Sequence, residues 1–95
     1  MKILLTGASG LVGRNLLEHP RSALYKIFAP SSTDLNLLDF SSTKAYLAKI
    51  CPDMVIHAAG RVGGIQANIK SPVDFLVDNL EMGKNLIIAS RDLNI

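Results

Sequence analysis

The first apolar positions, Ile3-Leu4-Leu5, form an unbroken run that leads straight into Thr6-Gly7-Ala8-Ser9-Gly10-Leu11-Val12-Gly13. A short apolar run without alternation fits a strand buried on both faces, so a strand is predicted over Lys2 to Thr6. Behind the glycines, Leu11, Leu16 and Leu17 stand at helical spacing and predict a helix from Leu11 to His19, stopped by Pro20. Further strands are predicted over Tyr25 to Ala29, Met54 to Ala58 and, briefly, Asp34 to Leu37. Asp39 is the expected N-cap of a helix over Ser41 to Ile50 that ends before Pro52. The last helix is the best marked: Ser71 in the cap position, Pro72 at its first turn, Asp74 near the positive end of its dipole. There Val73, Leu76, Leu80, Gly83 and Ile87 recur at helical spacing and predict the buried face, until the pattern stops near Asp92.

Strand, helix, strand, short strand, helix, strand, long loop, helix is the alternation of an α/β protein. It predicts a Rossmann-type parallel sheet with helices on both faces and strand order 3-2-1-4, Asp34 to Leu37 being the third strand. The last helix of such a sheet leads to a fifth strand, and without one Met54 to Ala58 is an unpaired apolar edge. Residues 1–95 are therefore expected to be one incomplete domain, the N-terminal portion of a longer protein, or to associate so that the edge is covered.

The 95 residues are 48% hydrophobic and only 19% charged, a surface thin in charge for the apolar content it must cover. The net charge is +2, with Lys and Arg scattered from Lys2 to Arg91, which argues against a nucleic-acid partner. Apolar runs of a few residues fit neither a membrane span nor a leader peptide, and a cytoplasmic location is expected. The single cysteine, Cys51, has no internal disulfide partner and no basic neighbour in sequence, so it reads as an inert thiol.

The candidate chemistry lies in the glycines. Gly7 allows a sharp exit from the strand, Gly10 allows backbone to approach a pyrophosphate, and Gly13 allows the helix to pack tightly on the sheet. Free amides at the helix start would then face the negative charge. After the second strand no acid stands where one would hold a ribose 2′-hydroxyl. Ser31, Ser32 and Thr33 stand there instead, either accepting a 2′-phosphate, which favours NADP over NAD, or forming a simple turn. The small residues Ala58-Ala59-Gly60 leave room for a ligand beyond the fourth strand, the alternative being a tight turn. Arg61 reads equally as a phosphate contact or a solvated loop residue. His57 is expected to be a hydrogen-bonded core histidine, and no spacing supports a metal site. Asn79, inside the predicted apolar face, is expected to be a buried amide with an architectural role near the site, or else an ordinary helix-surface residue.

Together these residues resemble the extended short-chain dehydrogenase/reductases, which comprise nucleotide-sugar epimerases, dehydratases and reductases. The general likeness lies in Thr6 to Gly13, Asp53-Met54-Val55-Ile56-His57-Ala58-Ala59 and Asn79-Leu80-Glu81-Met82-Gly83-Lys84-Asn85-Leu86. Asp34-Leu35-Asn36-Leu37-Leu38-Asp39, Val62-Gly63-Gly64-Ile65 and Asn68-Ile69-Lys70 narrow it to the GDP-L-fucose synthase family. That resemblance implies NADP, with NAD as the alternative. It also implies a homodimer of the longer protein and a reaction that epimerises C3 and C5 of a GDP-4-keto-6-deoxymannose and then reduces C4. It makes Gly7, Ala8, Ser9, Gly10, Leu11, Val12 and Gly13 the pyrophosphate segment, and Ser32, Asn36 and Leu37 the adenosine side. Ala58, Ala59 and Gly60 then run beneath the cofactor. Ser9 and Ser32 stand where some members carry arginines for the 2′-phosphate. The superfamily's Tyr-x-x-x-Lys pair has no counterpart: four residues after Tyr25 stands Ala29, and four after Tyr46 stands Ile50. No catalytic residue is therefore assigned, and the chain by itself is expected to be inactive. Two other functions remain open, a non-catalytic nucleotide-binding module and another nucleotide-sugar epimerase or dehydratase.

Overall fold

Ile3, Leu4, Leu5 and Thr6 are all buried, which for successive strand residues means that both faces of the strand are covered. In a computed structural model, which describes residues 1–61 and 65–95, they belong to β1 (Lys2–Thr6), the middle strand of a parallel sheet. On one side lies β2 (Lys26–Phe28), with Leu4 opposite Phe28; on the other lies β3 (Met54–His57), with Leu4 opposite Val55 and Thr6 opposite His57. Asp53 sets the β3 register: its Oδ2 accepts the Lys2 amide at 2.7 Å, and its own amide donates to the Lys2 carbonyl at 2.8 Å.

Helix α1 (Leu11–Glu18) follows the glycine turn. Pro20 does end it, but the chain then forms a 3-10 helix over Pro20–Leu24, whose cap is the His19 side chain. Helix α2 (Phe40–Ile50) starts as expected at Asp39, whose carboxylate accepts from the Ser41 amide at 3.1 Å and the Ser42 hydroxyl at 2.7 Å. Those bonds hold the Asp39 carboxyl below its ordinary pKa. The helix stops at Cys51, which takes the left-handed conformation (φ 46°) and whose Sγ donates to the Ala48 carbonyl. After β3 come α3 (Ile65–Lys70) and the long α4 (Pro72–Asp92). Ser71 occupies the N-cap of α4 without a side-chain bond, so Pro72 and Asp74 carry the start signal.

Leu4 meets Leu35, Leu37, Leu47, Ile50, Leu86 and Ala89 in one apolar cluster, with α2 and α4 packed on each other above the sheet. The α/β class and the parallel sheet are as expected, with three strands in the order β2-β1-β3 among the described residues. Asp34 to Leu37 forms turns instead of the expected third strand. The amides of Asp34 and Leu35 donate to the Ser31 carbonyl and that of Leu38 to Asn36 Oδ1, leaving none of them for a ladder. Helix α3 occupies the stretch expected to be loop. The α4 face is also corrected. Val73, Leu76, Leu80 and Ile87 are exposed, while Met82, Asn85, Leu86, Ala89 and Leu93 turn inward. Asn85 interrupts the true stripe with a polar residue, so the outer stripe looked the more apolar.

Asn85 is 1% exposed, and its Nδ2 donates to the Leu37 carbonyl at 2.8 Å. From α2, the buried Thr43 hydroxyl donates to the Asp39 carbonyl at 2.9 Å and reaches that of Asn36 at 3.4 Å. Two helices thus hold the 36–37 segment by its carbonyls. Asn85→Leu, close in volume but without the donor, is expected to lower the unfolding free energy by about 1–3 kcal/mol. Urea denaturation measures it, and unchanged stability would show that packing alone holds the segment.

Candidate functional site

The C-terminal ends of β1, β2 and β3 open into a cleft of ≈ 890 Å³, the size range of small-molecule sites. Its walls are three loops: Thr6 to Val12, Ala29 to Ser32 continuing to Leu35–Leu38, and Ala58 to Arg61, with Asp78 and Met82 of α4 at one end. Gly7, Ala8, Ser9, Gly10, Leu11, Val12, Ser32, Asn36, Leu37, Ala58, Ala59 and Gly60 all line it. Gly13 does not. A Cβ at Gly13 would collide with the Gly7 carbonyl and the Ala8 backbone, so its missing side chain lets the turn fold over the helix, not the helix onto the sheet.

Gly7 has φ 74°, and a Cβ there would sit 2.5 Å from the Ala58 carbonyl carbon and the Ala59 nitrogen. The first turn and the end of β3 therefore touch backbone to backbone. At Gly10 the corresponding space is open, with only the Gly7 carbonyl at 3.4 Å. Gly10 is the N-cap of α1 and makes no side-chain cap, and the first turn of α1 has no acidic residue. Amides in that turn lack an intrahelical acceptor, and the dipole adds positive potential, so the cleft offers an anion seat at an open glycine.

The charged groups lining the cleft are Arg61 and Asp78, and they pair at 2.6 Å. The Arg61 guanidinium also lies 4.9 Å from the Phe75 ring centroid, and both Arg61 backbone groups are taken by Asn79. Asn79 Oδ1 accepts the Arg61 amide at 2.6 Å, and its Nδ2 donates to the Arg61 carbonyl at 3.2 Å. Asn79 is therefore an exposed clamp on the loop rather than a buried amide, and Asn85 is the buried one. A carboxamide matches a peptide group in donors and acceptors, which suits it to a loop without a strand partner. Arg61 is held by α4 while its side chain stays exposed. The part of the cleft lined by Ser9, Ser31 and Ser32 carries hydroxyls and no charge.

His57 stands at the end of β3, exposed overall rather than in the core, with its Nδ1 2.7 Å from Thr6 Oγ1. Partial desolvation of the ring lowers its pKa below the ordinary value. Tyr46 lies outside the cleft lining, and burial and then the Asp34 charge push its hydroxyl pKa up, away from what proton transfer near neutral pH requires. Val62, Gly63 and Gly64, part of the loop singled out in the sequence, lie outside the described residues. Among the described residues no cluster of His, Cys, Asp or Glu has metal-site geometry, and no helix is long and apolar enough to cross a membrane.

The profile of the NAD dependent epimerase/dehydratase family matches residues 3–95. A GDP-L-colitose synthase of Yersinia pseudotuberculosis is 54% identical over 95 residues, all of this chain and 31% of that protein. A GDP-L-fucose synthase of Azorhizobium caulinodans is 45% identical over 94% of the chain and 28% of its own length. The chain thus spans about a third of the curated relatives it matches. A solved GDP-L-fucose synthetase of Naegleria fowleri bound to NADP superposes with a TM-score of 0.76 at 32% identity, covering 97% of this chain and 27% of that one.

The glycines separate by what surrounds them. Gly13→Ala is expected to cost about 2–3 kcal/mol or more, since backbone must give way. Gly10→Ala, at φ −79° and in open space, is expected to stay within about 1 kcal/mol of the parent, the N-cap preference for glycine over alanine being its main cost. Thermal unfolding of the two variants measures the difference; equal losses would contradict the packing described.

Proposed function

The chain belongs to the NAD dependent epimerase/dehydratase family, and on that premise we propose that residues 1–95 are the N-terminal, cofactor-binding part of an NADP-dependent nucleotide-sugar epimerase/reductase. The observation that carries this reading is the open space at Gly10, between the bare first turn of α1 and the small residues ending β3. The pyrophosphate sits against Gly7 to Val12, where Gly10 has no side chain to intervene and the helix dipole favours anions. The adenosine lies toward Ser32, Asn36 and Leu37, with the 2′-phosphate among uncharged hydroxyls, so NAD is the second cofactor of the same site. The nicotinamide end runs over Ala58, Ala59 and Gly60. When bound, the cofactor supplies the hydride that reduces a keto group.

The proteins this chain resembles are named for GDP-linked L-sugars. We assign the longer protein the same class of substrate, a GDP-4-keto-6-deoxy sugar epimerised at C3 and C5 and reduced at C4. Within residues 1–95 no tyrosine has a lysine four positions on, and Tyr46 is shifted in the wrong direction for an acid-base role. The chain by itself therefore binds dinucleotide without turnover. Homodimerisation of the longer protein is supported by the exposed row Val73, Leu76, Leu80 and Ile87 on α4, whose steps of three, four and seven residues suit helix pairing.

Titration with NADPH, followed by its fluorescence, is expected to saturate, and Gly10→Ala is expected to raise Kd about tenfold or more, since a methyl enters the space of the pyrophosphate. Absence of saturable binding would sink the reading. Consumption of NADPH with the keto-sugar nucleotide by residues 1–95 alone would refute the division between binding and turnover.

A further inference from the structure

Thr6 is a buried hydroxyl, 3% exposed, at the end of the central strand and on the cleft wall. It has one proton and two lone pairs to place. Oγ1 accepts the Ala59 amide at 3.2 Å and lies 2.7 Å from His57 Nδ1. An amide only donates, so the hydroxyl proton is free to go to Nδ1. With its proton there, Thr6 pairs with the neutral ring that carries its hydrogen on Nε2. The Ala59 amide so held belongs to the same peptide, Ala58–Ala59, that packs on the Gly7 turn too closely for a Cβ.

We propose that His57 is a positioning residue for the cofactor cleft. By accepting the Thr6 proton it orients the hydroxyl that holds the Ala58–Ala59 peptide against the glycine turn, and protonation of His57 weakens dinucleotide binding. This rests on the reading of the cleft as a dinucleotide site. In the imidazolium both ring nitrogens carry hydrogen, so Thr6 would face two donors and its own proton would lose its acceptor inside a buried site. On the α4 side the ring shares its groove with Ser90 and Arg91, and Arg91 is already paired with Asp92 at 3.1 Å. From β1 the facing group is Thr6. Ile95 lines the same groove, and among the described residues no carboxylate forms an ion pair with His57. Desolvation places the folded pKa below the ordinary 6.5, so affinity is complete above that value and falls as pH drops through the folded pKa.

The test is NADPH titration from about pH 8 to about pH 5 for the parent, His57→Asn and His57→Leu. His57→Asn keeps an acceptor near Nδ1 and does not titrate; it is expected to bind like the parent at high pH without the parent's additional acid loss. His57→Leu is expected to bind about five- to tenfold more weakly at every pH, and the parent to lose a similar factor on acidification. The 2′-phosphate titrates identically against all three proteins, so the difference between profiles isolates His57. Ring nitrogen shifts in NMR are expected to place the neutral hydrogen on Nε2. A hydrogen on Nδ1, or a parent profile that overlays that of His57→Asn, overturns the proposal alone. No saturable binding by the parent at any pH overturns the cofactor reading and the proposal with it.

Discussion

Two stretches of backbone meet at Gly7 with no room for a side chain, and the functional end of the sheet is built around that contact. The turn after β1 rests on the Ala58–Ala59 peptide at the end of β3. Gly13 lets the same turn lie back over α1. A Cβ at either position would lift the turn away from its neighbour and move the start of α1. The contact therefore defines both where the anion seat points and how deep the cleft is. Gly10 differs in kind: the fold leaves it room, and its value lies in the space it keeps for a ligand.

The loops around that contact have no ladder of their own, and polar side chains from nearby elements hold them. Asn85 and Thr43 hold the carbonyls of residues 36–37, Asn79 holds both backbone groups of Arg61, and Thr6 holds Ala59. Every one of these bonds goes from a side chain to a main-chain group, the economical way to fix irregular backbone near a cavity. It also explains why α4 matters to the cleft. One helix supplies Asp78, Asn79 and Asn85, so its placement sets two walls at once.

Much of this was legible from local signals. Ile3 to Leu5 marks a doubly buried strand, the glycine spacing marks the turn, and Asp39 and Pro72 mark helix starts, because each acts through its immediate neighbours. What escaped depends on distance. Leu35 and Leu37 alternate like strand residues, yet both enter the core from turns closed by Ser31 and Asn36. On α4 an apolar row was visible at the right period, but period alone does not say which of two rows faces inward. The amide at 85 broke the inner row because it was needed for a carbonyl forty-eight positions away. Asn79 stands in the outer apolar row, which suggests a burial it does not have, and its actual partner, the backbone of Arg61, carries no sequence signature.

The uncovered surfaces bear on function as much as the cleft does. β3 pairs with β1 on one side, and no strand lies on its other side among the described residues. Beside it runs a groove lined by Val55, Leu86, Ile87 and Ile95, and beyond that the exposed Val73, Leu76 and Leu80 of α4. Exposing an apolar row of this kind to water raises the free energy in proportion to its area, so its solvated state is the costly one. Cover on this side would press on β3, which leads into the Ala58–Ala59 peptide, and on α4, which holds the Arg61 loop. α4 borders both cleft and exposed face: Asp78 and Met82 line the cleft, while Val73, Leu76, Leu80 and Ile87 are exposed. The Thr6–His57, Thr6–Ala59 and Asn79–Arg61 bonds tie β1, the end of β3 and α4 together at the cleft.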